Sequence, residues 1–337
     1  MNVFCKSFLL ATTLVCVMAC DNSEDPVIDA SVEEVIVANE GNFGSANGGI
    51  SGYIPETEQT NLQVYSPQAL VQYIMMHNNL LYLVCQGPDK LDVVSAEDYN
   101  AVTSASEGML NPVSFAISGT LGFVANWGSI ATAFTDNPES FITVYNLSDL
   151  SVVDTIHVTA RPQSLLSLEG NIYVAFEGGD FIGKINPATL QMQTLQVPAG
   201  PSAMVADQRN NLWVSSTAGS LTEIITADFT EGRSMDNLPM TVFAQKLAID
   251  QSADIIYFFG TDAAYSVDIS SSALSAIVFT DEDIDYYAIN VNPENGEVYI
   301  GNSNAFATTG TGLRFGRDGT LIDDFATGIG PSGFLFK

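Results

Sequence analysis

Short apolar segments recur along the chain, and Gly, Asn or Asp residues bound most of them. Seven of these segments carry an aromatic or large apolar residue at the same place, at positions 36, 82, 123, 173, 213, 257 and 299. Segments this short, rich in β-branched and aromatic residues, are typical of β-strands. An interval of 40–50 residues between equivalent positions is typical of propellers and solenoids. The pattern therefore predicts a repetitive all-β protein.

Further short strands flank most of the seven repeat positions. Residues 73–77, 164–168 and 288–292 are examples of a strand that precedes a repeat position. Two more strands, separated by a polar turn, follow most of the repeat positions. Four antiparallel strands per repeat form the blade of a β-propeller. The seven repeats predict an all-β, seven-bladed β-propeller over residues 32–337.

The two ends of the predicted propeller indicate how the ring closes. The first repeat lacks an inner strand, because residues 21–30 before it are acidic and polar. The last apolar segment, residues 331–337, resembles residues 201–207 in pattern and has no later repeat to join. We expect this C-terminal strand to complete the N-terminal blade, since that pairing removes exposed sheet edges.

Residues 1–19 have the layout of a secretory signal peptide, with Lys6 ahead of an apolar run that ends at Ala19. The run is shorter than the ~20 residues that a membrane-spanning helix needs. Its last residues and Cys20 resemble the lipobox of bacterial lipoproteins, which implies lipidation of Cys20; an ordinary secreted protein is the alternative. Residues 20–31 are then the lipidated cysteine and a flexible acidic tether. This resemblance implies an outer-membrane lipoprotein displayed on the cell surface.

Charge and cysteine content narrow the classes of partner. The chain has 39 acidic and 10 basic residues and a net charge of −29. Nucleic-acid binding needs clustered Lys and Arg, so the composition argues against DNA and RNA as partners. After removal of the signal peptide and lipidation of Cys20, only Cys85 remains. It lies in an apolar strand, where a buried inert thiol is favoured over a nucleophile.

The first and last repeats resemble a known family. Residues 37–44 and 47–50, then 292–299, 318–325 and 328–334, are similar to the YncE-like β-propeller surface lipoproteins of Bacteroidetes. That family includes propeller lipoproteins that capture vitamin B12 above a TonB-dependent transporter. The resemblance implies a surface protein that binds a small molecule, with cobalamin as the leading candidate and a TonB-dependent outer-membrane transporter as partner. The membrane contact is the lipid anchor alone.

The sequence carries no catalytic constellation, so we expect a non-catalytic binding protein without a cofactor. His77 and His157 lie in predicted strands, and no Cys or His cluster has metal-ligand spacing. The acidic run at residues 280–285 is interpreted as a solvated turn rather than a calcium site. Two alternatives stay open: a propeller enzyme of the lactonase or lyase type, and a surface scaffold that binds only protein.

Binding residues are expected at the mouth, the face of the ring where the first strand of each blade begins and the second strand ends. Loops on a rigid scaffold commonly carry function, and two of the mouth loops, residues 128–140 and 302–312, are long. The polar and aromatic candidates in these loops are Asn39, Glu40, Asn42, Phe43, Gln86, Asn126, Trp127, Arg161, Glu177, Asp180, Asn302 and Asn304.

Each type of candidate has a second interpretation. Trp127 is suited to stacking on a flat ligand, or to packing as a lid on its own blade. Arg161 is suited to pairing with an anionic group of the ligand, although offsetting the acidic surface is favoured. Taken singly, the Asn residues are better explained as turn formers, because Asn tolerates left-handed backbone conformations.

Overall fold

The structure, a computed structural model, describes residues 34–136, 138–240, 246–250, 252, 254–260, 263–271, 273–276 and 284–337. The predicted signal peptide, Cys20 and the tether lie outside the described residues, as does most of the acidic run at residues 280–285. The described strands form seven sheets of four antiparallel strands each. These are the seven blades of the predicted propeller.

The first four blades follow the chain from its N-terminal side. Blade 1 contains, from the inside outwards, β28 (Pro331–Phe336), β1 (Val35–Asn39), β2 (Gly49–Ile54) and β3 (Gln59–Tyr65). Blade 2 contains β4 (Leu70–His77), β5 (Leu80–Gln86), β6 (Lys90–Ser95) and β7 (Ala101–Ala105). Blade 3 contains β8 (Pro112–Ser118), β9 (Leu121–Asn126), β10 (Phe141–Asn146) and β11 (Val152–His157). Blade 4 contains β12 (Ser164–Leu168), β13 (Asn171–Ala175), β14 (Phe181–Ile185) and β15 (Met192–Gln196).

The remaining three blades repeat the same order. Blade 5 contains β16 (Pro201–Ala206), β17 (Leu212–Ser216), β18 (Ser220–Ile225) and β19 (Thr230–Met235). Blade 6 contains β20 (Leu247–Asp250), β21 (Ile255–Phe259), β22 (Ala264–Asp268) and β23 (Ala273–Ala276). Blade 7 contains β24 (Tyr286–Val291), β25 (Val298–Asn302), β26 (Thr311–Phe315) and β27 (Leu321–Ala326).

Two mouth loops contain short helical elements. The helix α1 (Ile130–Ala133) lies between β9 and β10, and a 3-10 turn (Asn304–Phe306) lies between β25 and β26. Among the described residues, no helix has the length and apolar character needed to cross a membrane.

The aromatic repeat positions pack between neighbouring blades. Trp213, Tyr173, Tyr257 and Tyr299 are fully buried, each in the second strand of its blade. Tyr173, for example, shares a cluster with Leu212 of the next blade. Burying side chains of this size removes much apolar surface from water, which is the main stabilising contribution in such a fold. The repeat found in the sequence is therefore a packing repeat.

The ring closes as the sequence predicted. The C-terminal strand β28 pairs antiparallel with β1, with Val35 opposite Phe336 and Val37 opposite Phe334. Strand β28 is the innermost strand of blade 1, so residues from both ends of the propeller form one sheet. Cys85 is buried in β5, where burial raises the pKa of its thiol, as expected for an inert cysteine.

Candidate functional site

The mouth predicted from the strand order is present in the strand pairing. In each blade the start of the inner strand lies beside the end of the second strand, as in Leu70 opposite Gln86 and Tyr286 opposite Asn302. In blade 1 the same relation joins Pro331 to Asn39. The loops after the second strands and the starts of the inner strands therefore share one face of the ring.

Two amides at the ends of second strands bond to groups of their own blade or of the loop that leads into it. Asn39 is buried and donates hydrogen bonds to the carbonyl oxygen of Val37 and to Ser51. Asn126 is buried in the same way and accepts a hydrogen bond of 3.0 Å from the amide of Leu110. Two buried amides with internal partners stabilise the mouth loops.

Gln86 and Asn302 also have internal partners. The side chain of Gln86 donates a hydrogen bond of 3.0 Å to the carbonyl oxygen of Pro112. The side chain of Asn302 accepts hydrogen bonds from the backbone amides of Asp285 and Asn304. The side chain of Asn304, a left-handed residue with φ of 49°, donates 2.8 Å to the carbonyl oxygen of Thr309. These polar groups shape the loops in which they lie.

Three candidates lie further out on the mouth loops. Phe43 is 95 % exposed at the tip of the loop between β1 and β2. The backbone amide of Asn42, in the same loop, donates a hydrogen bond of 2.7 Å to the side-chain oxygen of Asn47. Asp180 is exposed at the start of β14. These residues rim the mouth without meeting at its centre.

Four side chains from four different blades converge at the ring axis; we call Glu40, Gln72, Lys246 and Tyr287 the axial cluster. One oxygen of the Glu40 carboxylate accepts 2.9 Å from the Gln72 amide, and the other accepts from the Tyr287 hydroxyl. Burial, followed by the Glu40 charge, raises the pKa of Tyr287 and keeps its hydroxyl a donor.

Lys246 extends across the mouth in this cluster. Lys246 belongs to blade 6, and its Nζ donates a hydrogen bond of 3.0 Å to the carbonyl oxygen of Ser332 in blade 1. The bond therefore passes over blade 7, which lies between these two blades in the ring. Burial lowers the pKa of the Lys246 amine, and the nearby Glu40 carboxylate opposes that effect. The axial cluster therefore places one carboxylate and one amine near each other at the channel opening.

A second group, the rim cluster, consists of Trp127, Phe134, Arg161 and Glu177. Arg161 is 9 % exposed and forms an ion pair of 2.9 Å with Glu177. Its guanidinium lies 5.0 Å from the ring centroid of Trp127 and 4.5 Å from that of Phe134. The two rings meet edge to face with centroids 5.7 Å apart. This is a cation–π arrangement closed by a carboxylate.

Two buried donors in the rim cluster have no protein acceptor. Within the described part of the chain, neither Nε of Arg161 nor Nε1 of Trp127 donates a hydrogen bond. A buried donor without a partner costs about 1–3 kcal/mol. A ligand that presents an acceptor here offsets that cost, although Trp127 also packs on its own loop as the second sequence interpretation proposed.

The loop that carries Trp127 and Phe134 is held at both ends. The Ser140 hydroxyl donates a hydrogen bond of 2.7 Å to the carbonyl oxygen of Trp127. The Asn111 side chain donates one of 2.8 Å to the carbonyl oxygen of Gly128. Gly128 has φ of 76°, and a Cβ there would lie 2.1 Å from the carbonyl oxygen of Glu139. Only glycine fits this turn without rearrangement, so the loop leaves its strand in a defined direction.

Sequence reasoning missed Gln72, Phe134, Lys246 and Tyr287. Three of them lie at or beside the start of an inner strand, which the strand order had already assigned to the mouth. The signal for Gln72, Lys246 and Tyr287 is therefore their position at these strand starts. Among the residues described, no group of three His, Cys, Asp or Glu side chains is placed to hold a metal ion.

Two cavities lie away from the mouth. One of about 430 Å³ lies on the opposite face beside Glu34 and Tyr99, and one of about 320 Å³ lies on the outside of blade 4 beside Lys184.

The fold and the mouth define a protein of the seven-bladed β-propeller class. The chain belongs to the DUF5074 family, which is described as a domain of unknown function and matches residues 34–312. Comparison with curated proteins finds no match.

Many solved structures share the fold at low sequence identity. A quinonprotein alcohol dehydrogenase-like protein from Bacteroides thetaiotaomicron is 16 % identical with a TM-score of 0.70, covering 91 % of this chain and 78 % of the other. A protein provisionally named as a 6-phosphogluconolactonase from Bacteroides fragilis is 13 % identical with a TM-score of 0.69, covering 91 % and 98 %. A functionally unknown protein from Desulfotomaculum acetoxidans is 12 % identical with a TM-score of 0.70, covering 90 % and 98 %. At these identities the likeness concerns the fold.

Proposed function

We propose that this protein is a cell-surface binding protein, lipidated at Cys20, that takes a small molecule at the mouth of its propeller. The observation that carries the proposal is the axial cluster, in which side chains from four blades meet at the channel opening. Polar groups that converge from separate elements at one opening are the usual features of a ligand site. The rim cluster adds an aromatic wall and two buried donors without protein acceptors.

A binding role accounts for these groups better than a catalytic role. The Glu40 carboxylate already accepts hydrogen bonds from Gln72 and Tyr287, and Arg161 is paired with Glu177. A general base must instead reach a proton of the substrate. The names of the structural neighbours suggest redox and lactonase chemistry, but the metal-ligand groups that such chemistry often uses are not found among the described residues.

We propose that a TonB-dependent outer-membrane transporter is the partner of the mouth.

Cobalamin is the first ligand to test, on the chain from residue 21 to 337. We expect it to raise the melting temperature and to stay with the protein on a spin column, where its colour reports retention. Binding to the native state alone adds about 2.7 kcal/mol of stability at a hundredfold excess over Kd. Trp127→Ala should weaken retention, whereas Leu321→Ala on an outer strand should not. Absence of both effects removes cobalamin; absence of any small ligand at the mouth overturns the proposal.

Lipidation and display need a separate experiment in cells. We expect the wild-type protein to incorporate labelled palmitate and to be digested by protease added to intact cells. Cys20→Ala should abolish the label. A protein that is labelled but protected from protease would contradict surface display, and an unlabelled wild type would contradict lipidation.

A further inference from the structure

Lys246 and Lys184 differ from the other basic residues in the described part of the chain. All five arginines, together with Lys90 and Lys337, form ion pairs with carboxylates. Lys246 and Lys184 form no such pair and instead donate to the carbonyl oxygens of Ser332 and Thr226. An unpaired ammonium is unexpected in a chain with 39 acidic and 10 basic residues.

The surroundings of the two lysines are different. Lys184 lies on the outside of blade 4, with its amine over the rings of Tyr173 and Phe229 at 5.7 and 5.6 Å. Lys246 precedes β20 and reaches across the channel opening to blade 1. An ammonium donates three hydrogen bonds, and the Ser332 carbonyl oxygen accounts for one. Within the described residues, its other two donors have no acceptor.

We infer that Lys246 binds the carboxylate of a small organic acid at the axis of the mouth. The inference rests on the proposed function, because it names the ligand chemistry of the same site. A carboxylate takes charge-assisted hydrogen bonds from the ammonium, and these are roughly twice as strong as neutral ones. Burial of the amine strengthens the interaction further, since a charge in a less polar medium is screened less.

The charges around Lys246 select a monoanion. Glu40 lies close enough to raise the pKa of the Lys246 amine, so it also repels an incoming anion. The net charge of −29 acts in the same direction over a longer range. Both repulsion energies are about twice as large for a dianionic phosphate as for a carboxylate, because the energy is proportional to the charge.

Aromatic rings beside the axial cluster suit an acid with an apolar body. Tyr287 meets Phe306 edge to face with ring centroids 4.9 Å apart. A flat apolar group gains contact area and favourable ring geometry at such a pair. We therefore expect benzoate to bind more tightly than acetate.

The test titrates the chain from residue 21 to 337 with benzoate, acetate and inorganic phosphate, and uses benzyl alcohol as a neutral analogue of benzoate. All seven blades lie within this chain, and its melting curve verifies folding. We expect saturable benzoate binding at constant ionic strength, with benzyl alcohol and phosphate at least about tenfold weaker. Equal binding of benzoate and benzyl alcohol would overturn the inference.

Three lysine variants locate the site. Lys246→Met should weaken benzoate about tenfold or more and remove the preference over benzyl alcohol, whereas Lys246→Arg should retain much of it. Lys184→Met is the matched control, because that lysine also donates to a backbone carbonyl oxygen of another blade but lies outside the mouth. Benzoate affinity that Lys246→Met leaves unchanged, or that Lys184→Met reduces equally, would contradict the inference.

The outcomes also separate the inference from the proposed function. If a neutral molecule binds at the mouth and Trp127→Ala weakens it, but carboxylates do not bind at Lys246, the inference fails and the proposed function stands. If neither carboxylates nor neutral molecules bind at the mouth, both fail.

Discussion

The Tyr53 hydroxyl in blade 1 donates a hydrogen bond of 2.6 Å to the Asp323 carboxylate in blade 7. The Tyr53 ring also stacks on Phe325, with centroids 3.9 Å apart and planes within 1° of parallel. Burial, with the help of this carboxylate, raises the pKa of the Tyr53 phenol, so it stays a donor. One side chain thus contributes both an apolar and a polar contact where the ring closes.

Substitutions at Tyr53 should separate these two contacts. Tyr53→Phe keeps the ring stack and loses the hydrogen bond, which should lower the free energy of unfolding by about 1 kcal/mol. Tyr53→Ala removes a fully buried ring and should cost about 3–5 kcal/mol. Urea unfolding measures both values, and equal losses in the two variants would show that the stacked ring contributes nothing.

Removal of residues 331–337 should prevent cooperative folding. Without β28, strand β1 has an unpaired edge and blade 1 loses its inner strand. Exposed edges of this kind favour aggregation. Thermal unfolding and size-exclusion chromatography test this, and removal of Lys337 alone is the control because β28 ends at Phe336. An unchanged melting temperature in the longer truncation would refute the closed ring.

Stability in blade 5 should depend on the ionised form of Asp207. Burial opposes ionisation of this carboxyl, but hydrogen bonds from Arg209, Asn211 and Trp213 outweigh it and lower its pKa. A carboxyl whose pKa is lower in the folded state stabilises the fold fully above its unfolded pKa of about 3.9. The stabilisation is then lost as the pH falls through the folded pKa.

Asp207→Asn should therefore lower the free energy of unfolding by about 2 kcal/mol at neutral pH. The difference from wild type should shrink below about pH 4, where the carboxylate becomes protonated. Urea titrations between pH 3 and pH 7 measure it. Asp228→Asn is the control, since Asp228 is exposed in the same blade, and a difference that stays constant with pH would contradict the argument.

Arg161→Met should destabilise the protein, because it leaves the buried Glu177 carboxylate without its partner. Side chains of Arg161 and Glu177 are each 10 % exposed, and removal of one partner of a buried pair costs about 3 kcal/mol or more. The protein has two tryptophans, so Trp213→Phe leaves Trp127 as the fluorescent reporter of the rim cluster. We expect a shifted Trp127 emission and a lower melting temperature.

Lys337→Met is the matched control for that experiment. Lys337 forms an ion pair of 3.2 Å with Glu34, but their side chains are 29 % and 19 % exposed. Pairs with this much access to water contribute up to about 1 kcal/mol. If the Arg161 variant is no less stable than the Lys337 variant, the rim cluster is not a stabilising unit.

The sequence by itself determined the architecture. Strand alternation, turn residues and the aromatic repeat all occur within about 45 residues of chain. Each blade is therefore specified by nearby residues, and the pattern repeats seven times. Closure was equally visible, because residues 331–337 resembled an inner strand with no blade of its own. The mouth followed from strand order, since antiparallel neighbours place the start of one strand beside the end of the next.

The arrangement of side chains within the mouth was decided only by the tertiary structure. Asn39 and Asn126 resembled ligand contacts in the sequence, yet both are buried with internal partners. Glu40 and Lys246 are distant in sequence and come near each other because blades 6, 7 and 1 are consecutive in the ring and their inner strands begin at the same mouth. Local patterns fix which residues form a strand, whereas the meeting of side chains at an axis depends on how all seven blades pack into a ring.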